Sequence, residues 1–453
     1  MLVARAARLA PSPLLRARLA SSAATDAGKF KIVVVGGGSA GLSVANQIYD
    51  RFKAAGKPLN SGDVAIIDPA ESHYYQVRRL SAPVVTLVGA GLAPKTKFVR
   101  PLASLIPSHI ALISDRVQSF SPTSSSVTTA SGRNISYDSL VVAAGIKINW
   151  DAIQGLPQAL MSSTSGVSSI YSYETCDKVW SDVDALRSGN AIFTQPAGVV
   201  KCAGAPQKIM WMAWDRYRRT HRGAKITVDF YTGMPTMFSV KKYSDALNEL
   251  RIGRGVGGFF NHNLVSVDDA NHKATFKKAD GSTVSVDYTV LHVTPPMGPP
   301  DFIKASPLAD AAGWVAVDPA TLRHVKPEFG NVFALGDCSS LPTSKTAAAI
   351  TAQAPVLSEN LFSVMDTGNV SSAVYDGYTS CPLLTGYNEL MLAEFKYGLE
   401  TKETFAAQFN QAKSNRLFYH FKKDLFPWAY WNYMVRVKGQ WYGTRGPFRP
   451  KYA

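Results

Sequence analysis

Four cysteines stand in the chain, at positions 176, 202, 338 and 381. Two of them sit where a thiol can do chemistry. Cys202 lies in Val200-Lys201-Cys202-Ala203-Gly204-Ala205-Pro206-Gln207-Lys208, just ahead of the amphipathic segment Ile209–Tyr217. A neighbouring cation and a following helix N-terminus both favour the thiolate, the form that attacks disulfides and carbon electrophiles. Cys381 sits in Tyr378-Thr379-Ser380-Cys381-Pro382-Leu383, a polar-to-apolar junction of the kind that positions a side chain. Together the two could carry two-electron thiol–disulfide exchange. They are distant along the chain, so the sequence leaves their contact open, and each taken singly reads as a packed thiol. Cys176 is flanked by acids in Glu-Thr-Cys-Asp, and Cys338 directly follows a Gly-Asp pair; both read as structural.

A redox pair needs an electron acceptor, and the N-terminal third supplies a nucleotide site. Phe30–Val35 is a β-branched run expected to form a buried parallel strand. Gly36-Gly37-Gly38-Ser39-Ala40-Gly41 follows, and a helical stretch begins at Leu42. Gly36, Gly38 and Gly41 make G-x-G-x-x-G in strand–turn–helix order, where glycines let the backbone approach a pyrophosphate and the helix N-terminus offers N–H donors. Ser39 and Ala40 belong to the same loop. A second strand ends in Asp68, placed to accept adenosine ribose hydroxyls. It lies further past Gly41 than such motifs usually allow, and the polar stretch Lys57–Gly62 accounts for the extra length as a loop.

Two later segments resemble those of flavoproteins with two dinucleotide-binding domains. Tyr137–Gly145 is an apolar strand ending in small residues, and Asn331–Asp337 is a strand ending in Gly-Asp, followed by Lys345 and an Ala-rich helix. In that superfamily the first returns the chain to the cofactor and the Asp contacts its ribityl or pyrophosphate region, which here designates Asp337, with Lys345, and implies FAD. The second such domain should open near Asn190. Its strand Ala191–Thr194 is present, but no G-x-G-x-x-G follows; Pro196 and Pro206 interrupt the turn, and Cys202 stands there instead. A nicotinamide is therefore not the expected electron donor.

At this point the resemblance narrows. The segment around Cys202, His292-Val293-Thr294-Pro295-Pro296-Met297, Gly336-Asp337-Cys338 with Pro342–Ala349, and Tyr375–Pro382 closely resemble the mitochondrial sulfide:quinone oxidoreductases, from about residue 30 to about 435. The resemblance implies that Cys202 and Cys381 are the catalytic pair, linked through sulfur beside the flavin. Hydrosulfide would attack on the Cys381 side and leave a persulfide there, while the Cys202 thiolate passes electrons to FAD. A nucleophile such as glutathione, sulfite or cyanide would take the outer sulfur, and ubiquinone would take the electrons. The family also places flavin contacts at Gln76 and an adenine contact at Val117. Residues 77–84 look inserted after Gln76. No metal is expected.

The elements that must position these groups follow. The expected fold is α/β: two Rossmann-like dinucleotide-binding domains, the FAD domain split in sequence, with a C-terminal amphipathic helical region for membrane association. Residues 1–28 carry Arg5, Arg8, Arg16 and Arg18 against Asp26 alone, the composition of a mitochondrial transit peptide. Residues 29–150 would be the first part of the FAD domain, 151–300 the second Rossmann-like domain with Cys202, 301–380 the rest of the FAD domain, and 381–453 the Cys381 loop and membrane-association region. Of the formal net charge of +15, about half lies in residues 413–453, with nine Lys/Arg against Asp424. Trp428, Trp431, Tyr430 and Tyr433 are interleaved with them, and Pro427 should break the segment into two short helices. Aromatic and basic residues together suit a membrane interface, here that of the inner mitochondrial membrane. Nothing else in the chain supports nucleic acid as a partner. Two rival readings stay open: an NADH:quinone dehydrogenase of the same superfamily, and a flavin-binding scaffold without turnover.

Overall fold

The computed structural model describes residues 28–75, 85–436 and 450–453. It opens on β1 (Lys29–Val35), whose Ile32, Val33 and Val34 are fully buried. Helix α1 (Ser39–Ala54) follows the glycine loop and leads to β2 (Val64–Ile67), which pairs with β1 in parallel, Ile32 opposite Val64. Strand β3 (Ile110–Ile113) flanks β2, and β4 (Asn134–Val142) takes the other side of β1, Val33 opposite Leu140. Where these strands are covered on both faces, at residues 32–35, 64–67 and 140–142, they are apolar at every position.

A second parallel sheet is built around β5 (Gly189–Gln195). The chain passes from β5 through the Cys202 loop into α2 (Ala205–Arg219) and returns as β6 (Ile226–Thr232), a crossover unit pairing Phe193 with Phe230. Strand β7 (Val290–His292) lies on the opposite side of β5. The chain then rejoins the first sheet. Strand β8 (Val332–Ala334) pairs with β4, Val332 opposite Leu140, so the first sheet draws on segments from either side of the second in sequence. Helix α3 (Ala347–Thr367) packs against α1; its N-terminus is capped by Thr346, whose hydroxyl accepts from the Ala349 N–H.

A hairpin of β9 (Thr379–Gly386) and β10 (Glu389–Phe395) follows and lies against α2. The C-terminal segment then winds helically from Arg416 to Met434. The break expected at Pro427 is absent. Wider π-helical turns at Phe421–Leu425 and Tyr430–Met434 flank Phe426–Ala429, and the shifted hydrogen bonding accommodates a residue without an N–H. No described helix is long and apolar enough to cross a membrane. The fold class read from the sequence is the one observed: a mixed α/β molecule with two Rossmann-like sheets, the first split in sequence.

Candidate active site

Cys202 and Cys381 meet. Both are free thiols, buried at 4% and 2% exposure, and their sulfurs are hydrogen-bonded to each other. Cys202 is delivered by the β5–α2 loop. Its φ of 80° is left-handed, a conformation a side-chain-bearing residue adopts only when its surroundings enforce it. Helix α2 begins at Ala205, so the sulfur lies beside a helix N-terminus. Cys381 is delivered by β9, opposite Ala393 of β10. Gly204 lets the two elements close: a Cβ there would lie 2.7 Å from the Cys381 sulfur and 2.3 Å from a Leu383 methyl.

The pair stands among buried cations. The Lys208 ammonium, on α2, donates to the Cys202 sulfur at 3.5 Å and is completely buried. Lys422, from the C-terminal segment, is also buried and acts on both sulfurs through its charge. The hydrogen bond from Cys381 lowers the Cys202 pKa; burial opposes it, and the Lys208 and Lys422 charges lower it further, for a net fall. Cys381 moves the other way, raised well above the usual thiol range by its bond to Cys202 and then by burial. The sulfurs thus share one proton, Cys202 as thiolate and Cys381 as thiol. Burial and then the Lys208 charge push Lys422 down to about 7. Lys208 itself rises, because the two sulfurs outweigh its burial. Tyr171, fully buried, feels both sulfurs and is held far above its usual pKa, mainly by burial. Cys176 and Cys338 are different: burial raises them to about 12 and about 11.

The glycine loop lies at the ends of β1 and β2. Gly36 has φ 108° and no room for a side chain, since a Cβ would fall 2.5 Å from the Ala143 carbonyl oxygen. At Gly41 a Cβ would fall 1.9 Å from the Gly36 oxygen, whereas at Gly38 none of the described residues comes within 4 Å. The loop is therefore tight where it turns and open at Gly38. Asp68 is buried and accepts from the Gly37 N–H at 2.7 Å and the Ala70 N–H at 2.7 Å. Ser39 and Ala40 begin α1. The Ser39 hydroxyl is engaged by Tyr430 at 2.7 Å, and the Tyr430 hydroxyl also meets His73 Nε2 at 2.6 Å. Burial lowers His73 to about 4, so it is neutral. Its Nδ1 faces the Gly37 carbonyl and must carry the proton; Nε2 then accepts from Tyr430, and Tyr430 accepts from Ser39.

Asp337 lies at the end of β8, in the turn after Leu335, raised by burial and opposed by Lys201 and Lys345. The Lys345 ammonium donates to the Ser339 carbonyl at 2.5 Å and stacks over Trp314. The Lys201 ammonium is buried with no hydrogen-bond partner among the described residues, and burial lowers it to about 7. It acts electrostatically on both Asp337 and Cys202, and so links the first sheet to the sulfur pair. Val117 is buried at the start of its strand, Val117–Ser121, shortly after the end of β3, whose Ile113 carbonyl accepts from the Asp68 N–H. Gln76 and the stretch 77–84 lie outside the described residues, as do residues 1–27.

These groups fit a flavin dinucleotide. A glycine loop open at Gly38, the buried acid Asp68 at its side and the buried Lys201 ammonium, with no hydrogen-bond partner among the described residues, are what such a cofactor would use. Sequence reasoning found Lys201 and Lys208 beside Cys202 but missed Lys422, Tyr171, His73 and Tyr430, which reach the site only through tertiary folding.

A Rossmann-like sheet split in sequence around a second such sheet is the fold of the two-domain flavoprotein oxidoreductases, whose cofactor is a flavin. No protein-family model matches the chain. It is 50% identical to the mitochondrial sulfide:quinone oxidoreductase of Schizosaccharomyces pombe, covering 93% of each chain. It is 45% identical to the enzyme of the same name from Dictyostelium discoideum, covering 93% of this chain and 88% of that one. The crystal structure of the sulfide:quinone oxidoreductase of Aquifex aeolicus superposes with a TM-score of 0.72 at 17% identity, covering 91% of this chain and 93% of the other. The chain belongs to the mitochondrial sulfide:quinone oxidoreductase family.

Proposed function

We propose that this protein oxidises hydrogen sulfide through the Cys202/Cys381 pair and passes the electrons by way of FAD to ubiquinone. The observation that carries the reading is the meeting of these two sulfurs, from distant parts of the chain, among Lys208 and Lys422. In the oxidised enzyme the two are joined as a disulfide. Hydrosulfide attacks the Cys381 sulfur, the S–S bond breaks, and Cys202 leaves as a thiolate. The direction follows from geometry: Lys208 donates to the Cys202 sulfur, so the charge that develops on a departing Cys202 is the better stabilised. Cys381 is left as a persulfide. A small nucleophile such as glutathione, sulfite or cyanide removes its outer sulfur, and re-closure of the Cys202–Cys381 bond releases two electrons and the thiol proton. FAD, when bound, would supply the two-electron acceptor for that pair and the donor to the quinone.

Gly36, Gly38, Ser39, Ala40 and Gly41 would hold the pyrophosphate, Asp68 the adenosine ribose, Val117 the adenine, and Asp337 with Lys345 the ribityl side. The Lys201 ammonium would meet a polar cofactor atom, since no hydrogen-bond partner for it stands among the described residues. Lys208 and Lys422 keep the expelled thiolate charged and draw the hydrosulfide anion inward. The site is reached from the inner-membrane surface in the mitochondrion, where the C-terminal segment presents exposed Leu417, Leu425 and Trp428 to lipid.

An anaerobic titration tests this. Sulfide should bleach the flavin absorbance of the purified protein, NADH should not, and Cys202→Ser or Cys381→Ser should slow bleaching at least about 1,000-fold. Bleaching by NADH alone would point to the NADH:quinone dehydrogenase reading instead. That rival is disfavoured because the loop after β5, where a nicotinamide pyrophosphate would sit, carries Cys202 in a left-handed turn.

A further inference from the structure

Away from the sulfur pair, a groove of about 460 Å³ opens between residues 87–105 and the C-terminal helical segment. Its charge is one-sided. Lys97, Arg100, Lys423 and Arg436 line it against one carboxylate, Asp424, which already pairs with Lys423 at 3.2 Å. Lys97, Arg100 and Arg436 are exposed, and no carboxylate among the described residues lies within ion-pair distance of them. The Arg100 guanidinium is stacked over the Trp431 ring at 4.8 Å, which fixes its direction. Apart from Asn432 the remaining walls are apolar, Leu87, Leu92, Phe98 and Trp428 among them. Trp428 is 49% exposed, and Leu425 beside it is 36% exposed on the same segment.

An anion with an apolar tail satisfies both halves. A free inorganic anion would leave the apolar walls wet. A neutral quinone ring would leave three cations uncompensated. We propose that this groove seats the phosphodiester headgroup of an anionic phospholipid from the bilayer surface, its first acyl carbons lying along Leu87, Leu92 and Phe98. The proposal rests on the surface-attachment reading given above and adds a particular lipid class and place to it. Basic pockets beside interfacial aromatics recognise such headgroups by charge and shape together.

Vesicle co-sedimentation of the full chain decides it. Vesicles of phosphatidylcholine alone and vesicles with one fifth anionic phospholipid are compared, using wild type, Lys97→Gln/Arg436→Gln, and the control Lys53→Gln/Lys277→Gln, which removes two exposed cations elsewhere. Wild type should prefer the anionic vesicles. The groove variant should lose roughly tenfold to thirtyfold of its affinity for them, while the control loses little. Both variants should keep wild-type affinity for neutral vesicles and wild-type turnover with a water-soluble quinone analogue. Equal losses in both variants, or no anionic preference in wild type, overturn the groove assignment and leave surface attachment standing. Wild type that sediments with neither vesicle overturns surface attachment itself. A melting-temperature rise with millimolar phosphate in lipid-free protein, absent with chloride at equal ionic strength and lost in the groove variant, would assign the groove to a free anion and overturn the lipid.

Discussion

At the scale of single residues, the chemistry turns on which sulfur carries the charge. Lys208 donates to Cys202 and stands within reach of Cys381, so both sulfurs gain from its charge, but the thiolate gains more. Lys208→Met keeps the length of the side chain and removes the cation. A charge at this distance is worth about 1–3 pKa units, so the Cys202 pKa should rise by that much. The sign is fixed: losing a cation disfavours the thiolate, and the acid limb of the sulfide-bleaching profile moves to higher pH. Thiolate absorbance in the ultraviolet, titrated on the reduced protein, measures the same shift without turnover; an unmoved limb would show that Lys208 serves packing alone. Lys201 and Lys208 were legible in the sequence because they flank Cys202. Lys422 was not, because it stands far from Cys202 along the chain and nothing local marks it among the other lysines of a basic tail. Its burial and its fall to about 7 emerge only when the tail is folded over the pair.

At the scale of elements, the site is a contact between one loop and one hairpin. Gly204 has an ordinary helical-region φ of −82°, so its value is steric rather than conformational. Gly204→Ala drives a methyl into the Cys381 sulfur and Leu383. Relief needs β9 to move away from α2, at a cost of about 1–3 kcal/mol for an overpacked interior. The expected result is a lower denaturation midpoint together with slower disulfide formation between the pair. Gly253→Ala, a glycine with open space around it, should stay within about 1 kcal/mol of wild type. Slower pairing without loss of stability would mean that the backbone absorbs the methyl. Elements of this kind were readable in advance where one rule governs them. The β-branched run before Gly36 makes a buried strand, and the strand at Ala191–Thr194 makes the crossover unit β5–α2–β6. The C-terminal segment was misread at Pro427. A proline usually ends a helix, but that rule presumes α-helical hydrogen bonding, and π-helical turns on both sides remove the bond that the proline would have broken.

At the scale of the whole molecule, the C-terminal segment joins two ends of the proposed cofactor site. Lys422 reaches the sulfur pair, while Tyr430 closes a hydrogen-bonded chain from Ser39 to His73 and on to the Gly37 carbonyl. No local pattern could have announced that chain, since Ser39 and Tyr430 stand near opposite ends of the sequence. Its consequence is that the phosphate loop is held in part by the segment proposed to face lipid. Tyr430→Phe keeps the ring against Tyr75 and Trp431 and removes only the hydroxyl. It leaves His73 Nε2 and the Ser39 hydroxyl buried without their partner, at a cost of about 1–3 kcal/mol. A loop that is less ordered before binding must be ordered by the ligand, and that cost is drawn from affinity. FAD should therefore bind Tyr430→Phe about fivefold to thirtyfold more weakly by equilibrium titration, for about 1–2 kcal/mol transferred to binding. At saturating FAD, sulfide should bleach the variant at the wild-type rate, because the sulfur pair and its lysines are untouched. Unchanged FAD affinity with a lowered melting temperature would confine Tyr430 to packing, and the two ends of the site would then be joined in space without being joined in energy.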